Sequence, residues 1–185
     1  MPSFDQLTLQ TERLLLRPFK LDDAADLLSI FSDPLITKYG ITLPWTELET
    51  AQKRIQRDLK EMPVGDSLCL AIVRLSDNQL LGDCSLFHFS EQCRRAEIGY
   101  VLRHAAWAQG YMQEALLALI QYGFSELLLN RIEADIDPMN LASARCLERL
   151  GFKLEGMLRE RWIVAGVVSD SAMYGLLASD WAARS

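Results

Sequence analysis

Between Arg95 and Phe152 the chain runs through a strand, a tight turn, a helix, a second strand and a second helix with almost no linker, and few architectures accept that succession. Arg95–Leu102 reads as a strand. After Trp107-Ala-Gln-Gly110, apolar residues recur at Leu116, Leu119, Ile120, Phe124 and Leu127, the spacing of one helical face. Arg131–Asp137 then alternates: Ile132, Ala134 and Ile136 point one way, Glu133, Asp135 and Asp137 the other. Asn140 can cap a short helix carrying Leu141, Leu147 and Leu150, and Gly151 stands where a C-terminal glycine belongs.

The flanks extend the same alternation of elements. Arg13–Phe19 is an opening strand. Asp22 is expected to cap a helix in which Ala24, Leu27, Leu28 and Phe31 share a face, ended by Pro34. Thr46 and Glu49 form a capping-box pattern before a second helix with Leu48, Ile55 and Leu59 on one side, stopped by Pro63 and Gly65. Ser67–Leu75 and Leu80–Phe89 are the next strands, and Phe152–Leu158 with Val167–Leu177 suggest a closing hairpin. The order is β-α-α-β-β-β-α-β-α-β-β, an α/β mixture. With 185 residues and no repeat or low-complexity linker, one domain over 1–185 is expected, its core at about 11–181.

Composition removes several classes of function. Net charge is −6 without a block of like charges, so a nucleic-acid surface is not expected. No apolar stretch approaches the roughly 20 residues of a membrane helix, and the first residues lack the basic start and apolar run of a signal peptide. Cys69, Cys84, Cys93 and Cys146 show no C-x-x-C spacing, and His88 and His104 are the only histidines, so neither a metal site nor a disulfide framework is expected. These features predict a reduced, cytoplasmic protein.

Two segments can carry chemistry. In the first, the strand enters a small-residue turn and then a helix start. Such a turn aims unpaired backbone N–H groups at one point with the helix dipole behind them, which suits a phosphate or pyrophosphate. A corner where Gly110 only relieves strain fits that segment equally well. The second segment is Asn130-Arg-Ile-Glu-Ala, then Asn140-x-x-Ser143 and Leu150-Gly-Phe152. Taken alone, Asn140 is a helix cap and Ser143 a helix residue.

Order and spacing together carry a resemblance. The chain resembles the GNAT superfamily of N-acetyltransferases, and within it the RimJ/RimL branch of ribosomal-protein N-terminal acetyltransferases. The likeness covers nearly everything from Thr11 to Trp181. It rests on Thr11-Glu-Arg-Leu-Leu-Leu-Arg17, Ala96-Glu-Ile-Gly-Tyr100, Trp107-x-x-Gly110-Tyr, Glu114-Ala115, Asn140-x-x-Ser143, Leu150-Gly-Phe152, Glu155-Gly-x-Leu-Arg-Glu160, Gly166, Asp170 and Tyr174-Gly-Leu-Leu177. It implies a mixed, strongly twisted sheet flanked by about four helices and splayed between the fourth and fifth strands, counted as above. Acetyl-coenzyme A would be the cosubstrate, without a metal. Its pantetheine would pair with the fourth strand at Tyr100, Val101 and Leu102. Its pyrophosphate would sit on the amides of Trp107, Ala108, Gln109, Gly110, Tyr111 and Met112, and its thiol end near Asn140 and Ser143. Met112 and Ala108 depart from the family pattern, which usually has small residues or glycine there. A homodimer is common in this branch.

Amine acetylation needs a neutral amine, a polarised thioester carbonyl and a protonated thiolate leaving group. Glu97 is the acid on the fourth strand best placed to take the amine's proton; a solvated edge carboxylate or a partner to Arg95 is the alternative. Ser143 would return a proton to the thiolate or hold the thiol. A protein α-amine, with pKa about 7.7–8.0, is roughly a tenth neutral at pH 7, whereas a lysine must give up about 4–5 kcal/mol to become neutral. The expected acceptor is therefore a protein or peptide N-terminus, such as that of a ribosomal protein. The alternatives are a small free amine (metabolite, polyamine or antibiotic) and a non-catalytic acyl-CoA-binding module.

Overall fold

The computed structural model describes residues 2–183. In chain order the elements are β1 (Leu9–Gln10), β2 (Leu14–Arg17), α1 (Ala24–Phe31), α2 (Pro34–Thr37), α3 (Leu48–Val64), β3 (Leu68–Arg74), β4 (Leu80–Ser90), β5 (Arg95–Leu102), α4 (Tyr111–Ser125), β6 (Arg131–Ile136), α5 (Leu141–Leu150), β7 (Lys153–Val164), β8 (Val167–Leu177) and α6 (Ala178–Ala182). Among the described residues the strands form one mixed sheet in the order β1-β2-β3-β4-β5-β6-β8-β7, in which β5 and β6 are the parallel pair. This is the α/β architecture expected from the succession of elements, with the four longer helices where the periodicity placed them.

Each face of the sheet carries its own core. Leu68, Leu70 and Ile72 of β3 point to the side covered by α4 and α5, where Ala115, Leu116, Leu119, Ile120, Leu147 and Leu150 are buried. Cys69, Ala71 and Val73, the alternate residues, point to the side covered by α1 and α3, against Leu27, Ile30, Phe31, Ala51 and Ile55. Burial on both faces explains why β3 is an unbroken apolar run (Leu-Cys-Leu-Ala-Ile-Val). Gly82 in β4 lies so close to β5 that a Cβ there would meet the Val101 carbonyl oxygen at 1.9 Å. Beneath α3 the Arg54 guanidinium bonds Asp58 at 3.0 Å and Asp83 at 3.1 Å. Both carboxylates are buried, 2% and 3% exposed.

Several local expectations are corrected. Asp22 does not cap α1; Asp23 is the structured acid, accepting two bonds from Arg17 at 2.7 and 2.8 Å and one from the Lys20 N–H at 2.7 Å. Pro34 does not end α1, which stops at Phe31. It opens α2 as its first residue, where a missing N–H costs nothing, and Asp33 caps that helix by accepting from the Leu35 N–H. The Thr46/Glu49 capping box does not form. Glu47 is the extended N-cap without a side-chain bond, and Glu49 pairs with Lys53. Pro63 lies inside the last turn of α3, and Gly65, at φ 79°, ends the helix. The strand placed at Phe152–Leu158 runs on to Val164, because register shifts at Leu154/Gly156 and Leu158/Trp162 break the period-two pattern midway. The short β1, α2 and α6 were not expected. No helix among the described residues is long and apolar enough to cross a membrane.

Candidate active site

The sheet opens where its direction changes. β5 and β6 pair only at Arg95↔Arg131, Ala96↔Ile132 and Glu97↔Glu133. Beyond Glu97, β5 stays with β4 as far as Leu102, while β6 follows β8 as far as Ile136. The Arg103 N–H donates to Leu81 of β4 at 2.7 Å, whereas the Arg94 carbonyl accepts from Asn130 at the start of β6. By the two-residue period, the amide groups of Ile98, Tyr100 and Leu102 therefore face the gap. The gap is a wedge bordered by a strand edge, and an extended amide-bearing chain can pair with it. Tyr100 offers that edge with both backbone groups and Leu102 with its N–H, its carbonyl being taken by the Trp107 indole. Val101 does not: its backbone faces β4 opposite Asp83, and its side chain packs on the α1–α3 side.

The turn after β5 is held in a fixed shape. Ala108 and Gly110 both have left-handed φ, 58° and 80°. Ala108 therefore occupies a conformation that glycine adopts more cheaply. Trp107 donates its indole N–H to the Leu102 carbonyl at 2.7 Å, Gln109 donates its side-chain amide to Ala105, and Arg13 donates to the Gln109 carbonyl at 3.0 Å. Arg13 also stacks over the Tyr111 ring at 4.5 Å and bonds Glu114 at 2.6 Å. Desolvation works against the charged form of Glu114, but hydrogen bonds from Thr11 and Arg13 hold its carboxyl below the usual range. Glu114 donates its N–H to the Gly110 carbonyl, so α4 begins there, without a side-chain cap on its first amides. Those amides, from Tyr111 through Gln113, are open to an anion. Met112 packs inward against the core, so its bulk is directed away from the turn. Thr11, Arg13 and Glu114 stand within the motifs quoted above, yet only the fold brings residues about a hundred positions apart together to brace the turn.

α5 overhangs the gap from the side of α4. Asn140 caps it, its side-chain oxygen accepting from the Ser143 N–H at 3.1 Å, and the Tyr100 hydroxyl donates to the Ser143 carbonyl at 3.4 Å. Tyr100, Asn140 and Ser143 thus converge at the open edge of β5. Burial pushes the Tyr100 phenol above its ordinary value, so it remains a proton donor. Cys146, half-buried nearby, has its thiol raised by burial as well.

Glu97 occupies the opposite face, at the apex of the wedge. It borders a 320 Å³ cavity with His88, Arg95, Glu133, Arg161 and Met173. Arg95 does not pair with Glu97; its guanidinium bonds Glu133 at 2.7 Å, which also accepts from Arg131. Arg161 bonds Asp135 at 2.8 Å. The hydrogen-bond partner of Glu97 is instead His88, Nδ1 to Oε2, at 3.1 Å. Among the described residues bordering the cavity, Glu97 is thus the carboxylate whose hydrogen bond comes from a group other than arginine, with Arg161 acting on it through charge alone. Two further candidates for proton transfer sit elsewhere. Tyr174 is buried on the α5 side, and the exposed Glu160 donates its own N–H to Asp170.

The Acetyltransferase (GNAT) domain model matches residues 13–153. The uncharacterized N-acetyltransferase p20 of Bacillus licheniformis is 38% identical over 175 residues, 95% of this chain and 98% of that protein. A crystal structure of a GNAT-family acetyltransferase from Bacillus anthracis superposes with a TM-score of 0.84 at 25% identity, covering 94% of this chain and 99% of that one. The [Ribosomal protein uS5]-alanine N-acetyltransferase of Escherichia coli is 33% identical over 84 residues, 45% of this chain and 43% of that protein. This chain belongs to the GNAT family of acetyltransferases, enzymes that use acetyl-CoA. It is an N-acetyltransferase.

Proposed function

We propose that this enzyme transfers the acetyl group of acetyl-CoA to the α-amine of a protein or peptide N-terminus, by direct attack of the amine on the bound thioester. The observation that carries the reading is the place of Glu97: the last residue of β5 paired to β6, on the face opposite α4 and α5. Pantetheine pairs with the free amides of β5, the pyrophosphate sits on the turn from Ala108 to Met112 (the Trp107 N–H being taken by the His104 carbonyl at 3.0 Å), and the thioester lies beside Tyr100, Asn140 and Ser143. A β5 N–H polarises the carbonyl. Glu97 takes the proton of the incoming amine from the other side, and Ser143 or Tyr100 protonates the departing thiolate. An α-amine needs little help to lose its proton, which suits a single carboxylate base. The similarity to an enzyme named for the alanine of ribosomal protein uS5 supports a protein acceptor.

A peptide-library acetylation screen read by mass spectrometry tests the acceptor. Acetylation at N-terminal α-amines is expected; modification confined to free small amines would overturn the peptide reading. Two variants test the coenzyme end. At Gly110 a β-branched side chain is strained by the φ of 80°, and its Cβ would lie 3.4 Å from the Arg13 guanidinium that braces the turn. Gly110→Val is expected to weaken acetyl-CoA binding at least tenfold, roughly 1.4 kcal/mol, in calorimetric titration of the folded protein. Unchanged affinity would remove the pyrophosphate from this turn. Ser143→Ala is expected to keep coenzyme affinity within about tenfold while lowering turnover more. An unchanged turnover number would make Ser143 a helix residue and leave the thiolate to Tyr100.

A further inference from the structure

His88 stands out among the described residues for combining a left-handed backbone with a hydrogen bond to the Glu97 carboxylate. It sits at φ 51° within an irregularity of β4, where the register with β5 shifts between Phe87 and Ser90. A histidine in the left-handed region is strained, and the surrounding structure must hold it there. What the bulge achieves is local: Phe87 lies opposite Glu97, and the extra residue turns the next side chain onto the Glu97 carboxylate. The His88 side chain is 77% exposed, whereas that of Glu97 is 22% exposed and lies deeper in the cavity. The imidazole therefore links the carboxylate to bulk water.

We propose that His88 is a positioning residue that orients Glu97 and carries its proton to solvent. The proposal rests on Glu97 being the base. At rest the Nδ1–H donates to Oε2, which leaves Oε1 to face the acceptor. Glu97 takes one proton from the incoming ammonium; the freed amine then bonds the thioester carbon as the C–S bond breaks, and the second proton it gives up replaces the one that Ser143 or Tyr100 passes to the thiolate. A bound acceptor covers the cavity and closes the direct route from Glu97 to water. The exposed ring exchanges its protons with solvent, so Nδ1 becomes free; once the carboxyl group turns its proton toward the ring, Nδ1 accepts it and the imidazolium releases one from Nε2 to water. Of the two protons the ammonium loses, one reaches solvent through His88 and one ends as the coenzyme A thiol, and Glu97 is again ionised. The other charged groups around the cavity cannot substitute: Arg95 and Arg161 are cations, and Glu133 is held by two arginines.

The test uses two variants beside Glu97→Gln. Asparagine tolerates the left-handed backbone, so His88→Asn should fold with an unchanged melting temperature and acetyl-CoA affinity. Its turnover is expected to fall about tenfold or more, within the lower range of acid–base contributions, with little change in KM. His88→Ala should be slow likewise, and added imidazole should restore several-fold of the rate, since the vacated site is open to solvent. A wild-type rate in His88→Asn, or a slow His88→Ala that imidazole does not accelerate, would overturn the relay. If Glu97→Gln is slow while either of those results is found, only the relay fails. If Glu97→Gln itself runs at the wild-type rate, the base assignment fails.

Discussion

Replacing Glu97 by glutamine is expected to lower turnover by roughly 10²–10³, within the range for loss of a general base. Glutamine keeps the size of the side chain and can still hydrogen-bond His88, so folding and acetyl-CoA affinity should survive. The loss should shrink as pH rises, because more of the acceptor then arrives already neutral. Wild-type turnover should rise with pH and level off near the acceptor's own pKa, about 7.7–8.0 for an α-amine. The check is a pair of pH–rate profiles measured on one peptide acceptor. Parallel profiles at similar height would leave Glu97 as a carboxylate on a wet strand face.

A comparably large effect is expected in stability, far from the chemistry. Arg54 is the cation that holds Asp58 and Asp83 beneath α3. Removing it in Arg54→Ala leaves two buried carboxylates without it, and breaking such a cluster typically costs about 3–5 kcal/mol. Arg57 reaches Asp58 from the surface but makes no bond to Asp83, so it compensates only in part. The penalty should depend on pH in a defined sense. Burial already pushes the Asp83 carboxyl above its ordinary value, even against the pull of Arg54. A folded-state pKa above the unfolded one means that the folded protein holds the proton more tightly. The destabilisation is therefore fully present above the folded pKa and is relieved as pH falls through it. Without Arg54 that pKa moves further up, so urea titrations of wild type and variant should converge on acidification. A constant gap between them would mean that the charge on Asp83 does not set the cost.

Much of this architecture is legible in the residues because period and punctuation agree. The α4, β6 and α5 segments each combine an apolar period with a terminal signal, and all three appear where the sequence places them. β7 is legible only in its first half, since its bulges break the alternation that would reveal the rest. The helix starts at Asp22 and Thr46 fail for a different reason. At the first start Arg17 and the Lys20 N–H bind Asp23, so the structured acid stands one residue after Asp22; at the other, Glu49 lies inside α3 and pairs with Lys53 one turn further along the same helix. The candidate site divides similarly. Gly110 sits in a turn whose local sequence suits an anion, whereas Tyr100, Asn140 and Ser143 gain their roles only from the order and spacing of motifs that carry the family resemblance. Arg13 and Glu114 meet only through contact between distant elements, and His88 reaches Glu97 on the neighbouring strand only through the bulge in β4, which nothing in the immediate sequence marks.

The most direct measurement is release of free coenzyme A thiol from acetyl-CoA with two versions of one alanine-initiated, lysine-containing peptide. One version has a free N-terminus and the other a blocked one. Proposed α-amine transfer predicts thiol release that depends on the free N-terminus and nearly vanishes with the blocked peptide, with the acetyl group found by mass spectrometry on the first residue. Equal release from both peptides, with the acetyl group on lysine, would contradict it.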